Sequence, residues 1–470
     1  MPLADYLDPT GAPEPPPDLS TMDQQTRQLH AGIDAAIRRT GIAYLHPAGE
    51  SIQLDLFSSQ RMVDWQERKA QALFLGSECW SELPQIYGRY GTEPVRQLIA
   101  KVRELEHAAA VVVTEGGMQA CALLFETLLE AGDHAIVVRS SYNKTKSYAT
   151  RLTGRLGGSI DLLDDDQLPT LADHLRETTR LVFVETFTNP RVRAIDPVAT
   201  GATVLAARKG GNKRLKLVVD DTIATPWGLA TPLLDTPGVD FVVASGTKAL
   251  AGQDRDLWGY VASNAMDSLN EVMDLQAMRG GILDWRRASV ILAGLDQARS
   301  RFEQRCATAT LVAAFLAGHP RIQQVFHPSQ SDHPDAQIIA SRYRLHGSMV
   351  SLRIRDADEE QTRHFCDVLA MTSVPRYALS FDGLATKLNH HRSVSEYFTA
   401  PEEVKRIGVD RLVRLGIGLE EPRDLIACLN WALWNYTSVS AERVAAWLQE
   451  RTRQLGLSLD PPPTAGQPER

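Results

Sequence analysis

The sequence predicts an α/β protein: a mostly parallel central sheet sandwiched by helices, followed by a smaller C-terminal α+β domain. Three observations predict it. Short β-branched runs recur without polar alternation, as expected of strands buried on both faces of a parallel sheet. Helix-period segments separate them, the pattern of a doubly wound fold. From about residue 286 the texture changes to long helices and then to isolated strands.

In chain order, helix-like PVRQLIAKVRELEHA (94–108) leads into apolar AVVVTE (110–115), and GMQACALLFETLLEAG (117–132) leads into HAIVVRS (134–140). RLVFVET (180–186), LKLVVDD (215–221) and VDFVVAS (239–245) continue the strand series. RRASVILAGLDQARSRFEQRCATATLVAAFLAGHP, from residue 286, reads as one or two long helices ending at Gly318 and Pro320. GSMVSLRIR (347–355) and DRLVRLGIGLE (410–420) read as strands of the second domain. Proline-rich ends, DPTGAPEPPPD (8–18) and DPPPTAGQPER (460–470), cannot build a core and read as mobile tails. The expected division is an N-terminal arm over 1–85, a large α/β domain over 86–290, a linking helix with the C-terminal domain over 291–460, and a tail over 461–470.

Bulk properties narrow the function classes. With 43% hydrophobic and 23% charged residues the 470-residue chain has an ordinary globular profile. A net charge of −8 without a Lys/Arg stripe argues against nucleic-acid binding. No apolar run reaches the roughly 18–20 residues of a membrane span, and the first residues lack the basic and apolar regions of a signal peptide. Cys79, Cys121, Cys306, Cys366 and Cys428 lie far apart and read as free thiols of a reducing cytoplasm.

Ligands of open α/β sheets bind beyond the carboxyl ends of the strands, so the residues following each strand matter most. They are Thr-Glu-Gly-Gly-Met (114–118), Ser-Ser-Tyr-Asn-Lys-Thr (140–145), Glu-Thr-Phe-Thr-Asn-Pro (185–190), Asp220-Asp221-Thr222 and Ser245-Gly246-Thr247-Lys248. This inventory suits pyridoxal 5'-phosphate (PLP). The helix start at Gly116-Gly117-Met118 offers amides to a phosphate, and Ser245 and Thr247 add hydroxyls. Tyr142 can stack on a pyridine ring. Asp220 can pair with its nitrogen and keep the ring an electron sink. Lys248 can form the Schiff base. Each feature also has a plain structural reading: a tight turn at the glycines, a cap at Asp220 and packing at Tyr142.

Six collinear stretches resemble the Cys/Met-metabolism PLP-dependent family, which includes cystathionine γ-synthase, the cystathionine lyases and methionine γ-lyase. They are YGRYGTEPVRQLIAKVRELE (87–106), EGGMQA (115–120), VETFTNP (184–190), VVDDTIATP (218–226), ASGTKALAGQDRDLWGY (244–260) and RLVRLGIGLEEPRDLI (411–426). The likeness spans roughly 85–430 and implies the aspartate-aminotransferase fold, fold type I. It implies that Lys248 binds the cofactor and shuttles protons and that Tyr142 stacks and assists. Asp220 would face the ring nitrogen, with Thr222 beside it. Gly116, Gly117, Met118, Ser245 and Thr247 would hold the phosphate, while Tyr87 and Arg89 would reach the phosphate of a neighbouring subunit in a homodimer or homotetramer. Asn189 would lie near the ring oxygen and substrate, Arg414 would grip the substrate α-carboxylate, and Ser380 would border the substrate.

The departures are equally informative. SFDGLATKLNHH (380–391) stands where the family has Ser-Leu-Gly-Gly-x-Glu-Ser, placing Ala385 at a glutamate position. The loop after Lys248 is Gly-Gln-Asp-Arg-Asp (252–256) instead of Gly-His-x-Asp, and LFLGSECWSELPQIYG (73–88) finds no counterpart in these motifs. Adjacent His390 and His391 read as surface residues. The resemblance implies γ-replacement or γ-elimination on a γ-substituted L-amino acid, through a vinylglycine-type intermediate, with a thiol or other nucleophile in the replacement case and a non-standard substrate from specialised metabolism. A β-eliminating C–S lyase, a transaminase on the same fold and a non-catalytic regulatory protein stay open.

Overall fold

A computed structural model describes residues 20, 22–40, 59–83, 86–251 and 253–457. The proline-rich ends at 8–18 and 460–470 lie outside them, as does Gly252. Among the described residues twelve strands form two sheets. The larger contains β1 (Ala110–Thr114), β2 (His134–Val138), β3 (Ser159–Leu163), β4 (Thr179–Glu185), β5 (Lys216–Asp220), β6 (Phe241–Ala244) and β7 (Gly259–Ser263). Its spatial order is β1-β7-β6-β5-β4-β2-β3. Only β7 runs against its neighbours β1 and β6; the remaining pairs are parallel.

The near-continuous apolar runs reflect burial on both faces. Val111, Val113, Ile136, Val138, Val182, Val184, Leu217, Val219 and Val242 point into one core. Their alternates Ala110, Val112, Ala135, Val137, Leu181, Phe183, Val218, Phe241 and Val243 point into another. A strand with period-two side chains and a core on each side needs an apolar residue at every position. Two strands of this sheet escaped the sequence reading for physical reasons. Edge strand β3 is mostly half-exposed, so its composition is mixed, and β7 follows directly on the charged loop that begins after Lys248.

The second sheet contains β8 (Ile322–Phe326), β9 (Met349–Ile354), β10 (Arg376–Tyr377), β11 (Lys387–His390) and β12 (Val413–Gly416), in the order β10-β11-β12-β9-β8. Its core joins Val350, Leu352, Leu388, Val413 and Leu415 to Ala309, Val312 and Leu316 of helix Ala298–Gly318. The long helical stretch is two helices, Trp285–Leu295 and Ala298–Gly318.

The surface reading of His390 and His391 is overturned. β11 is an interior strand, flanked by β10 and β12, and both imidazoles are buried. His390 Nδ1 lies 2.7 Å from Ser393 Oγ and Nε2 lies 2.8 Å from the Asp410 carbonyl. Burial holds the His390 pKa below the ordinary imidazole value and the His391 pKa well below it, the latter with help from the Arg414 charge. Among the described residues all five cysteines are unbonded, four of them buried. No helix among these residues is long and apolar enough to cross a membrane.

Candidate active site

A cavity of about 560 Å³ opens at the carboxyl ends of β4, β5 and β6 and is closed from the other side by the second sheet. Of the residues singled out from sequence, Gly116, Gly117, Met118, Tyr142, Asn189, Asp220, Thr222, Ser245, Thr247, Lys248 and Arg414 all line it. Gly116 through Lys248 meet because the strands before them end on the same rim, and Arg414 arrives from β12 of the second sheet.

Helix Gly117–Leu128 starts at this rim without a side-chain cap, leaving its first amides for a bound group. A Cβ on Gly117 would sit 2.7 Å from Ser245 Cβ, so glycine is what lets the helix start and the Lys248 loop close into one cradle. Thr222 builds the same wall: its Oγ1 accepts from the Ser245 N–H at 2.9 Å. Thr247 Oγ1 donates to the Trp258 carbonyl at 3.1 Å and accepts from the Trp258 N–H at 2.9 Å. Its hydroxyl thus serves the loop backbone as well as lining the cavity.

At the cavity floor, Asp220 Oδ1 accepts from the Thr222 N–H at 2.9 Å. Burial raises its pKa to about 6, against the lowering effect of Thr222. A cation such as a protonated ring nitrogen would relieve that desolvation. Glu185, paired with Asp220 across β4 and β5, is pushed well above the usual carboxylate range by burial and by the Asp220 charge. It accepts from the Tyr142 N–H at 2.6 Å and so fixes where the partly exposed Tyr142 ring stands.

Lys248 Nζ donates to Ser380 Oγ at 2.5 Å and lies 5.0 Å from the Phe381 ring centroid. Burial lowers its pKa to about 8, an effect that the Lys387 and Arg414 charges reinforce and the Asp382 charge opposes. Arg414 is buried. Its guanidinium donates to Asn189 Oδ1 at 3.3 Å, to the Leu379 carbonyl at 2.9 Å and to the Ser380 carbonyl at 3.3 Å, while Nε has no partner. No carboxylate among the described residues pairs with it. Burial lowers its pKa to about 10. A buried guanidinium without an anion is a costly arrangement that an incoming carboxylate repairs.

Tyr87 and Arg89 are not brought to this cavity. Arg89 lines a separate small cavity with Trp65 and Trp80, and Tyr87 remains exposed. Sequence reasoning missed Phe381, which underlies both cations, and the segment carrying Val394, Tyr397 and Phe398 at the cavity mouth. Neither carries a motif; proximity to Lys248 alone reveals them. The observed set fits PLP: a phosphate cradle that a side chain would fill, a carboxylate at the floor, an amine whose pKa burial lowers to about 8 and a guanidinium without an anion.

The sequence comparisons agree with this geometry. A family model described as Cys/Met metabolism PLP-dependent enzyme matches residues 70–434, beginning upstream of the motif resemblance. An L-methionine gamma-lyase of Fusobacterium nucleatum subsp. polymorphum is 30% identical over 75% of this chain and 87% of its own length. An O-succinylhomoserine sulfhydrylase of Pseudomonas aeruginosa is 30% identical over 84% of this chain and 92% of its own. Among solved structures, cystathionine gamma-lyase from yeast superposes with a TM-score of 0.69 at 27% identity, covering 75% of this chain and 88% of that one. By fold, cavity and sequence, the chain belongs to the Cys/Met-metabolism family of PLP-dependent enzymes.

Proposed function

We propose that the chain catalyses γ-elimination or γ-replacement on a γ-substituted L-amino acid, with a thiol or other nucleophile as second substrate in the replacement case. The observation that carries this reading is one cavity holding a lysine whose pKa is lowered to about 8, a floor carboxylate and a buried guanidinium without an anion. The relatives named above, a γ-lyase and a homoserine-ester sulfhydrylase, support γ-chemistry over other PLP reactions.

The cofactor, when bound, supplies the electron sink for carbanionic charge at Cα. This chain's residues supply the rest. Lys248 would be the amine that holds the cofactor. Once displaced by the substrate amine it would act as the base that accepts the Cα proton, for which it must be uncharged. Asp220, ionised, would hold a proton on a pyridine nitrogen placed beside it. Arg414, with Asn189 against its Nη1, would bind the substrate carboxylate. Gly116, Gly117, Met118, Ser245 and Thr247 would hold the phosphate, and Tyr142 would pack against the ring. Tyr87 and Arg89, exposed or remote from their own cavity, complete the site of a neighbouring subunit in a homodimer or homotetramer. The free thiols support a cytoplasmic enzyme. The arm over 1–85, the large domain over 86–290, the C-terminal unit over 291–460 and the tail over 461–470 are the proposed divisions. The altered stretch 380–391 supports a non-standard substrate in specialised metabolism.

The test is a panel of O-acyl-homoserines, cystathionine, methionine and γ-halo amino acids, each with and without an added thiol, read by release of 2-oxo acid and ammonia for elimination and by loss of free thiol for replacement. One of these signals from at least one γ-substituted substrate is expected. Turnover only with an added 2-oxo acid, as in transamination, or only from β-substituted amino acids, would contradict it.

A further inference from the structure

The stretch 380–391 contributes a buried lysine to an ion pair whose carboxylate partner is half-exposed. Lys387, at the start of β11, is 9% exposed, and its ammonium donates to Asp254 Oδ1. Asp254 sits six residues beyond Lys248 on the same loop, so the pair ties that loop to the second sheet.

Three further observations mark it as a built feature. Gly383 lies against the pair: a Cβ there would meet the Asp254 carboxylate and sit 2.7 Å from Lys387 Nζ, so a side chain at 383 would displace the ends of both partners. Asp254 and the buried Asp382 both adopt left-handed backbone angles, with φ of 58° and 56°, a turn conformation that aspartate takes up more readily than most residues. Asp382 in turn accepts from Ser348 Oγ, and the fully buried Arg305 donates to the Gly383 carbonyl at 3.2 Å. The segment Ser380–Gly383 is thus clamped at both ends, and its first residue holds the Lys248 amine.

Resting on the reading of Lys248 as the reacting amine, we propose that Lys387 and Asp254 are positioning residues. Their ion pair presses the Ser380–Gly383 segment against the Lys248 loop and fixes the amine on the Ser380 hydroxyl. Neither residue lines the cavity, so both act through others. The charged and titratable groups facing Lys248 are Asp382, Lys387 and Arg414 from the second sheet, Asp254 from its own loop, and Asp220, Glu185 and Tyr142 around the cavity. Lys387 disfavours a positive charge at the Lys248 nitrogen and Asp254 favours one.

The experiment follows the holoenzyme's visible absorption, that of the lysine-bound cofactor, against pH. Lys387→Met is expected to raise the titration midpoint and Asp254→Asn to lower it, each by about half a pH unit. Either change should reduce kcat about tenfold or more with little change in KM, and Lys387→Arg, which keeps the charge, should restore most of the rate. Midpoints that stay put or move in the same direction would overturn the proposal, as would unchanged kcat in both variants. If Lys387→Met does not accumulate as folded protein, Asp254→Asn decides alone: a midpoint that stays or rises refutes the pair's role. The spectral readout needs no turnover, so failure of the γ-substrate assignment leaves it intact.

Discussion

Lys248 and Arg414, carried by different sheets, stand over the same ring. Lys248 Nζ lies 5.0 Å and the Arg414 guanidinium carbon 5.5 Å from the centroid of Phe381. The aromatic face stabilises two cations that no carboxylate contacts directly, at the modest strength of cation–π attraction. This shared support brings the proposed proton-transferring amine and the proposed carboxylate-binding guanidinium to one ring of the cavity.

That arrangement makes Arg414→Lys a non-conservative change. A lysine cannot reproduce the planar fork that donates to Asn189 and to two carbonyls while leaving groups for a substrate carboxylate. Hydrogen bonds to charged groups are worth roughly 1.5–3 kcal/mol. KM for the amino acid should rise about ten- to a hundredfold, with a smaller change in kcat. Steady-state kinetics with any accepted substrate checks this.

The pH dependence follows from the amine. With the Lys248 pKa lowered to about 8, the protonated form dominates below that value and cannot accept a proton. The kcat profile should therefore fall as pH drops below about 8 and level off above it. A rate that rises as pH falls from 8 to 6 would contradict the assignment of Lys248 as base.

Gly117→Ala tests the cradle. The added methyl would meet Ser245 Cβ at 2.7 Å, forcing the helix start and the Lys248 loop apart. Overpacking of this kind costs about 1–3 kcal/mol. PLP affinity, measured by titrating cofactor-stripped protein, should weaken about ten- to a hundredfold.

Asp220→Asn removes the charge that balances a protonated ring nitrogen, while keeping the shape and the acceptor for the Thr222 N–H. Turnover should drop by about a hundredfold or more, on the scale of lost electrostatic stabilisation, with cofactor still bound. Absorbance spectra and stopped-flow turnover separate the two effects.

The large sheet was legible because strands buried on both faces have little freedom: Val111 and Val112 face opposite cores, and both must be apolar. The cofactor side was legible for a related reason, since Gly117, Asp220 and Lys248 occupy strand-end positions that the topology brings to one rim. The substrate side was not. Phe381 carries no motif, and its importance comes from lying between Lys248 and Arg414. His390 and His391 misled because a polar pair in sequence says nothing about whether the strand end it occupies is interior. The Lys387–Asp254 pair was equally invisible, because a lysine and an aspartate 133 residues apart announce nothing until the two sheets meet.

The most direct test of the central claim is borohydride reduction of the holoenzyme, followed by peptide mass mapping of the trapped cofactor. The result expected is a single modified lysine, Lys248, with loss of turnover in proportion to labelling. Cofactor fixed instead to Lys144 or Lys387, or absent from every lysine, would contradict the account.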